Sequence, residues 1–349
     1  MNNMESAIFN YIRCDKTTTK TMKIHTTIFL IMSSFWSSAQ TVGCTDTLAK
    51  NFQPAALAND GTCTYKNSSI TPTRTVELNS KLKETSGLIY WNDLIWTHSD
   101  DTDKNLYSID SKKGEIIQTI PLKAALNRDW EEITQDENYI YIGDFGNNYH
   151  GNRKDLHILR VLKRTFYSDL QLVDTIHFSY ENQFDYTPKK ANESNFDCEA
   201  FIVSKDSIFL FTKEWTSNKT SVYAISKEPG TYSAKLKSTY NVEGLITGSI
   251  YLEEKNLIVL CGYSALLQPF VYLLYDFKQN DFFGGNKRKI DIALPFHQIE
   301  GITSANGNLF YLSNEEFSKK PFIHSSNKII ELDLSSYLMP FFNKGNSKK

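Results

Sequence analysis

Apolar residues in the central and C-terminal parts of the chain fall into short runs, some alternating and some continuous. Turn-forming Asn, Asp, Lys and Gly break them every few positions. This patterning predicts strands joined by tight turns, and no long stretch carries the spacing of an amphipathic helix. The runs also repeat. "SGLIYWNDLIWTHSD" (86–100), "EEITQDENYIYIGD" (131–144), "EAFIVSKDSIFLFTKE" (199–214), "TGSIYLEEKNLIVLCGY" (247–263) and "EGITSANGNLFYLSNE" (300–315) each read as strand, turn, strand. Two further strand candidates follow each of the first four copies, such as "KNLYSID" and "EIIQTIPL" after the first. The last copy is followed only by "NKIIELDLS", while residues 73–78 supply an unmatched strand at the other end. Four strands per unit of about 50 residues, with an early strand completing the last sheet, is how a β-propeller closes its ring. The expectation is an all-β fold over 72–338 with about five four-stranded blades, a sixth being left open. The polar insertion at 181–197 reads as a surface loop, and 339–349 as a basic tail.

The repeat gives its charged residues a common position. Glu131, Glu199 and Glu300 share one register position at the start of the innermost strand, where the other two copies carry Ser86 and Thr247. In a propeller these positions surround the channel. Carboxylates that close repel and raise one another's pKa unless a cation lies between them. An oxygen-only donor set suits Ca²⁺, or Mg²⁺, rather than zinc. The competing expectation is a polar plug that hydrogen-bonds backbone or water. A second set lies at the ends of the next strands, at one channel mouth: Asp100, Asp144 with Asn147 and Asn148, Lys213 with Glu214, and Asn314 with Glu315. Asp144 is also a candidate metal ligand. His98 stands beside this set as a candidate proton shuttle. No nucleophile elbow, phosphate-binding loop or zinc-spaced Cys/His cluster is present in the sequence.

Composition narrows the picture. A formal net charge of -2 gives no electrostatic case for binding nucleic acid. Met22 and Lys23 precede an apolar stretch at 27–36 and small residues ending at Ala39, the pattern of a secretory signal over 22–39. Residues 1–21 then read as a mis-assigned start or a disordered leader. With the signal removed, no transmembrane segment is expected. Cys44 and Cys63 bracket a segment (44–66) too small for a core, for which a disulfide is the natural staple. Asp46, Asn59 and Asp60 within it read either as Ca²⁺ ligands or as ordinary Asx turns. Cys198 and Cys261 fall in strands and read as buried thiols.

Two resemblances extend this reading. "GCTDTLAKNFQPAALANDGTCTY" resembles a small module of secreted proteins of the Bacteroidetes. "SGLIYWNDLIWTHSDD", "DWEEITQDENYIYIGDFGNN", "DCEAFIVS", "LITGSIY" and "QIEGITSANGNLFYLSNEE" together resemble a family of exported propellers, largely uncharacterised. More distantly, that family resembles SdiA-regulated-type and esterase-like phytase propellers. These relatives imply a Ca²⁺-associated channel and leave the activity open. Gln298 and Ile299 replace an acidic start in the last blade, and no cluster of basic residues is placed to hold a polyphosphate. The expectation is an exported monomer, periplasmic, secreted or at the cell surface. It would bind a small molecule or protein at the channel mouth, or hydrolyse an ester, lactone or phosphoester with Ca²⁺ and Asp100, Asp144 or His98 as base.

Overall fold

The computed structural model describes residues 41–319, 321 and 323–346. The expected signal and leader segments lie outside the described residues. Five four-stranded antiparallel blades follow one another. The first contains Thr85–Trp91, Leu94–Ser99, Asn105–Ile109 and Ile116–Pro121; the second contains Trp130–Gln135, Tyr139–Asp144, His157–Leu162 and Val173–Tyr180. Asp197–Val203, Ser207–Lys213, Thr220–Ser226 and Gly230–Tyr240 make the third. The fourth is Leu245–Leu252, Leu257–Tyr263, Pro269–Tyr275 and Asn286–Ile292. In the fifth, Ile299–Ser304, Leu309–Asn314 and Lys328–Asp333 are completed by the N-terminal strand Arg74–Glu77. That closing strand pairs antiparallel with Lys328–Asp333 as expected, and Arg74 forms an ion pair with Glu331 at 2.6 Å. The innermost strands touch in a cycle, first to second, on to fifth, and fifth back to first. The fold is a five-bladed β-propeller.

The continuous apolar runs have a packing reason. Successive side chains of a strand point to opposite faces, and the inner strands of a blade have a neighbouring blade on each side. In Ser207–Lys213, Ile208 and Leu210 join a cluster with Tyr141, Ile158 and Ile176 of the second blade. Phe209 and Phe211 join one with Ile246, Ile258 and Leu260 of the fourth. Three further clusters fill the interfaces between first and second, fourth and fifth, and fifth and first blades. The main apolar clusters therefore lie between blades rather than within them. On the outermost strand Ile116–Pro121 burial alternates, as expected where one face meets water.

Edges are covered unevenly. The outer strands of the second and third blades pair in parallel, Ile176–Tyr180 against Gly230–Ala234. Ser69–Ile70 adds in parallel to the fourth blade. The Cys44–Cys63 disulfide is present, with Cα atoms 4.8 Å apart. Its loop docks on the fourth blade: Asn59 donates to Asn286, and Lys287 donates to the Gly61 carbonyl. Asp46, Asn59 and Asp60 each accept the backbone N–H two residues on, making Asx turns. Cys198 and Cys261 are buried thiols. Two elements depart from the sequence reading. A hairpin, Phe317–Lys319 with Ile323–Ser325, interrupts the fifth blade. The assigned tail begins inside an α-helix, Ser335–Asn346, whose Leu338, Phe341 and Phe342 pack on the cluster between fourth and fifth blades. Pro340 in its interior removes a helical N–H and masks the pattern. No helix among the described residues is long and apolar enough to cross a membrane.

Candidate metal centre at the channel mouth

Each innermost strand carries an irregularity at the same place. The ladder slips at Ser86–Gly87 in the first blade and past Glu131, Glu199, Thr247 and Glu300 in the others. These are the five ring positions. A β-bulge leaves a residue out of the ladder and re-aims its side chain, so the repeat is a repeat of bulges. The next position is Gly87, Ala200, Gly248 and Gly301 in four blades and Glu132 in the second. Glu132 fills the room left by the small residues. Its carboxylate accepts the Ser249 N–H from the fourth blade at 2.7 Å and the Ile133 N–H at 3.0 Å. A Cβ on Gly87 would lie 2.3 Å from Glu132 Oε1. Burial pushes the Glu132 carboxyl well above its usual range.

Glu131, Glu199 and Glu300 line one cavity of about 200 Å³ at the mouth, with Asp100, Asn148, Lys213, Trp215, Tyr263 and Glu315. All three glutamates are at least nine-tenths buried. Oxygens of Glu131, Asp197 and Glu199 lie within 4.8 Å of one another, whereas Glu300 falls outside that group. Glu84, Asp100 and Glu315 form a second such set. Asp197 was missed from sequence because it sits two residues before the ring position. The fold orients it through the Asn147 N–H and the Trp215 Nε1–H, each at 2.7 Å.

Electrostatics divide the glutamates. Lys213 donates to Glu199 Oε2 and lies 4.6 Å from the centre of the Trp215 ring and 5.3 Å from that of Tyr263. Despite burial, Glu199 and the other acidic groups around it, Glu300 among them, hold the ammonium charged, its pKa well above the usual value. Glu131 has no such partner. No donor among the described residues reaches its carboxylate, and the charges that act on it most are Glu199, Asp129, Asp197 and Asp100. Burial first, then these like charges, push its pKa well above the ordinary carboxylate range. Burial raises Asp100 to about 8, helped by Glu315 and Glu84, and raises Glu315 to about 7 against the pull of Lys213.

The other expected site residues divide by position. The hydroxyls of Ser86 and Thr247 donate to the Glu131 and Ile299 carbonyls of the following blade. They stitch blades together, and only Ser86 lines the cavity. Asp144 is fully buried away from the cavity, paired with Arg153 at 2.6 Å and accepting the Arg128 N–H. His98 is fully buried edge-on to Trp130, with burial lowering its pKa to about 4. It does not line the cavity. Asn147, Glu214 and Asn314 support the mouth from behind: Asn147 through Asp197 and Phe196, Glu214 by accepting from Ser217 and Ser221, Asn314 by donating to Glu315 and Ser326 carbonyls. The insertion at 181–197 folds back on the rim, where Asn192 N–H donates to the Asn148 carbonyl and Asn192 lines the cavity.

No protein-family model and no curated protein matches the chain. Among solved structures, the WD40 repeats of RRP9 match with a TM-score of 0.39 at 10% identity, over 76% of this chain and 100% of that one. A chain of the Mitotic Checkpoint Complex matches with a TM-score of 0.39 at 12% identity, over 76% and 96%. U3-55K follows at 0.33 and 11% identity, over 70% and 67%.

Proposed function

We propose that the protein is a binding propeller whose channel mouth holds one hard divalent cation, Ca²⁺ by preference, between Glu131, Asp197 and Glu199. The supporting observation is the Glu131 carboxylate: it is 7% exposed, no donor among the described residues reaches it, and its strongest charge partners are acidic. A cation removes both penalties at once. An oxygen-only donor set suits a hard ion, and Lys213, already bound to Glu199, competes with it for that carboxylate. The mouth above it, rimmed by Trp215, Asn148 and Asn192, is where a protein or small-molecule partner would dock. The docked, disulfide-closed module fits an oxidising compartment and so supports export. Metal analysis of the mature chain, with melting in Ca²⁺ and in chelator, tests the reading. A metal-free protein whose melting ignores both sinks it.

Hydrolysis of an ester, lactone or phosphoester is the second reading, and one observation favours it. Asp100, with its pKa raised to about 8, lines the cavity as a group able to hold a proton at neutral pH. Turnover of p-nitrophenyl acetate or phosphate that Asp100→Asn abolishes would decide for it.

A further inference from the structure

A second cavity, roomier than the channel mouth, lies elsewhere on the molecule. About 460 Å³ in volume, it lies where the disulfide-closed module, the fourth blade and the C-terminal helix meet. That volume falls within the range of small-molecule pockets. The geometry points to a second binding site here, for a pyranose unit of a saccharide.

The walls have two characters. Phe52 and Pro54 from the module and Pro340 and Phe341 from the helix present apolar faces, and Phe341 rests on Tyr275 with ring centres 5.0 Å apart. The floor is polar. Asp46 also lines the cavity but is committed to the frame, accepting from Leu48 N–H, Tyr65 OH and Tyr275 OH. Asp276 and Asn286 are not. Asp276 accepts only a long bond of 3.4 Å from Thr45 on Oδ2, leaving Oδ1 without a donor among the described residues. Asn286 is 1% exposed and uses its carbonyl oxygen to accept from Asn59, which leaves its amide N–H₂ unpartnered. Tyr275 and Asn286 face one another across the ladder, so Asp276 and Asn286 are near neighbours.

An acceptor carboxylate oxygen beside a donor amide is the pair that reads neighbouring hydroxyls, each of which both donates and accepts. The apolar faces in the same cavity suit the C–H side of a sugar ring. Among the described residues no lysine or arginine lines the cavity, which argues against an anion. A cationic amine is the rival occupant, but it would leave the Asn286 amide N–H₂ without an acceptor.

Calorimetric titration of the whole mature protein with glucose, mannose, galactose and N-acetylglucosamine, and with their linear oligomers, tests the site. At least one saccharide should bind saturably, and binding should persist in chelator because the channel mouth is a separate site. Tighter binding of oligomers than of monomers would identify a polymer as the source; equal binding would identify free sugar. Asp276→Asn is the decisive variant. Asp276 has φ 57°, a conformation Asn tolerates, so the fold should hold while affinity falls about tenfold, as for loss of one bond to a charged acceptor. Phe341→Ala should weaken binding with the disulfide and melting profile of a folded protein. The proposal is overturned if no saccharide binds, if tetramethylammonium or methylamine binds instead, or if Asp276→Asn binds like the wild type.

Discussion

Replacing Glu131 by Gln separates the two accounts of the ring, because Gln keeps the size and deletes one charge. At an effective dielectric of about 20, two full unit charges at 4.8 Å, the outer limit of the acidic triplet, repel by about 3.5 kcal/mol, an upper limit because the raised pKa of Glu131 lets a proton relieve part of it. Lys213 offsets part of this at Glu199, but Glu131 receives no hydrogen bond to match. In chelator at about pH 8, Glu131→Gln should therefore melt at or above the wild type. With Ca²⁺ at about a hundred times its dissociation constant, mass action adds about 2.7 kcal/mol to the wild type. For a unit the size of residues 40–349 the unfolding entropy is roughly 0.65 kcal/mol/K, so the wild-type gain is about 4 °C. The variant should gain little or nothing. Scanning calorimetry of both proteins in both buffers gives the four numbers needed. A wild type indifferent to Ca²⁺ refutes the metal site. A variant that melts several degrees lower in chelator refutes the claim that the Glu131 charge is uncompensated.

Three other outcomes are expected. Asp100 moves from an ordinary 3.8 to about 8 on folding, so the metal-free fold holds its proton more tightly than the unfolded chain. Stability in chelator should fall as pH rises from about 4 to about 8 and then level off, and Ca²⁺ should flatten the slope; a denaturation series across pH that rises instead would contradict this. Lys213→Met leaves Glu199 and its acidic neighbours without their built-in cation and should cost about 3–5 kcal/mol in chelator, with a larger rescue by Ca²⁺ than in the wild type. In Gly87→Ala the new methyl meets Glu132 Oε1 and the Ile133 nitrogen at 2.3 and 2.5 Å, so urea titration should show a loss of about 1–3 kcal/mol.

The fold was legible because every blade repeats one pattern and the closing strand has no other partner in that pattern. Register alone brought Glu131, Glu199 and Glu300 into one cavity. What sequence did not disclose depends on local departures from period two. Glu132 follows Glu131 and reads as its opposite-face neighbour, yet the bulge sends it across the axis to Ser249. The signal was present: a glutamate where the other blades place Gly or Ala. Asp197 became part of the triplet through loop contacts with Asn147 and Trp215 that no repeat encodes. Lys213 was placed at the mouth, but its role as counter-ion depends on a pairing with Glu199 across the bulged ladder, which needs the fold. His98 and Asp144 hold the expected register, but their side chains are turned into the protein.

The strand Arg74–Glu77 finds its partner about 250 residues later, in Lys328–Asp333. That separation has a kinetic side. Loop closure must precede the contacts that reward it, and each apolar cluster needs two blades before it is complete. A chain emerging from the ribosome, or threading through a translocon, therefore carries an unpaired first strand and one unsealed interface until Lys328–Asp333 has appeared. Closure of this propeller must therefore wait for its last blade and should include a slow final docking step. The same closure acts in reverse: releasing Arg74–Glu77 opens the fifth-to-first interface, making that seam the natural starting point for unfolding.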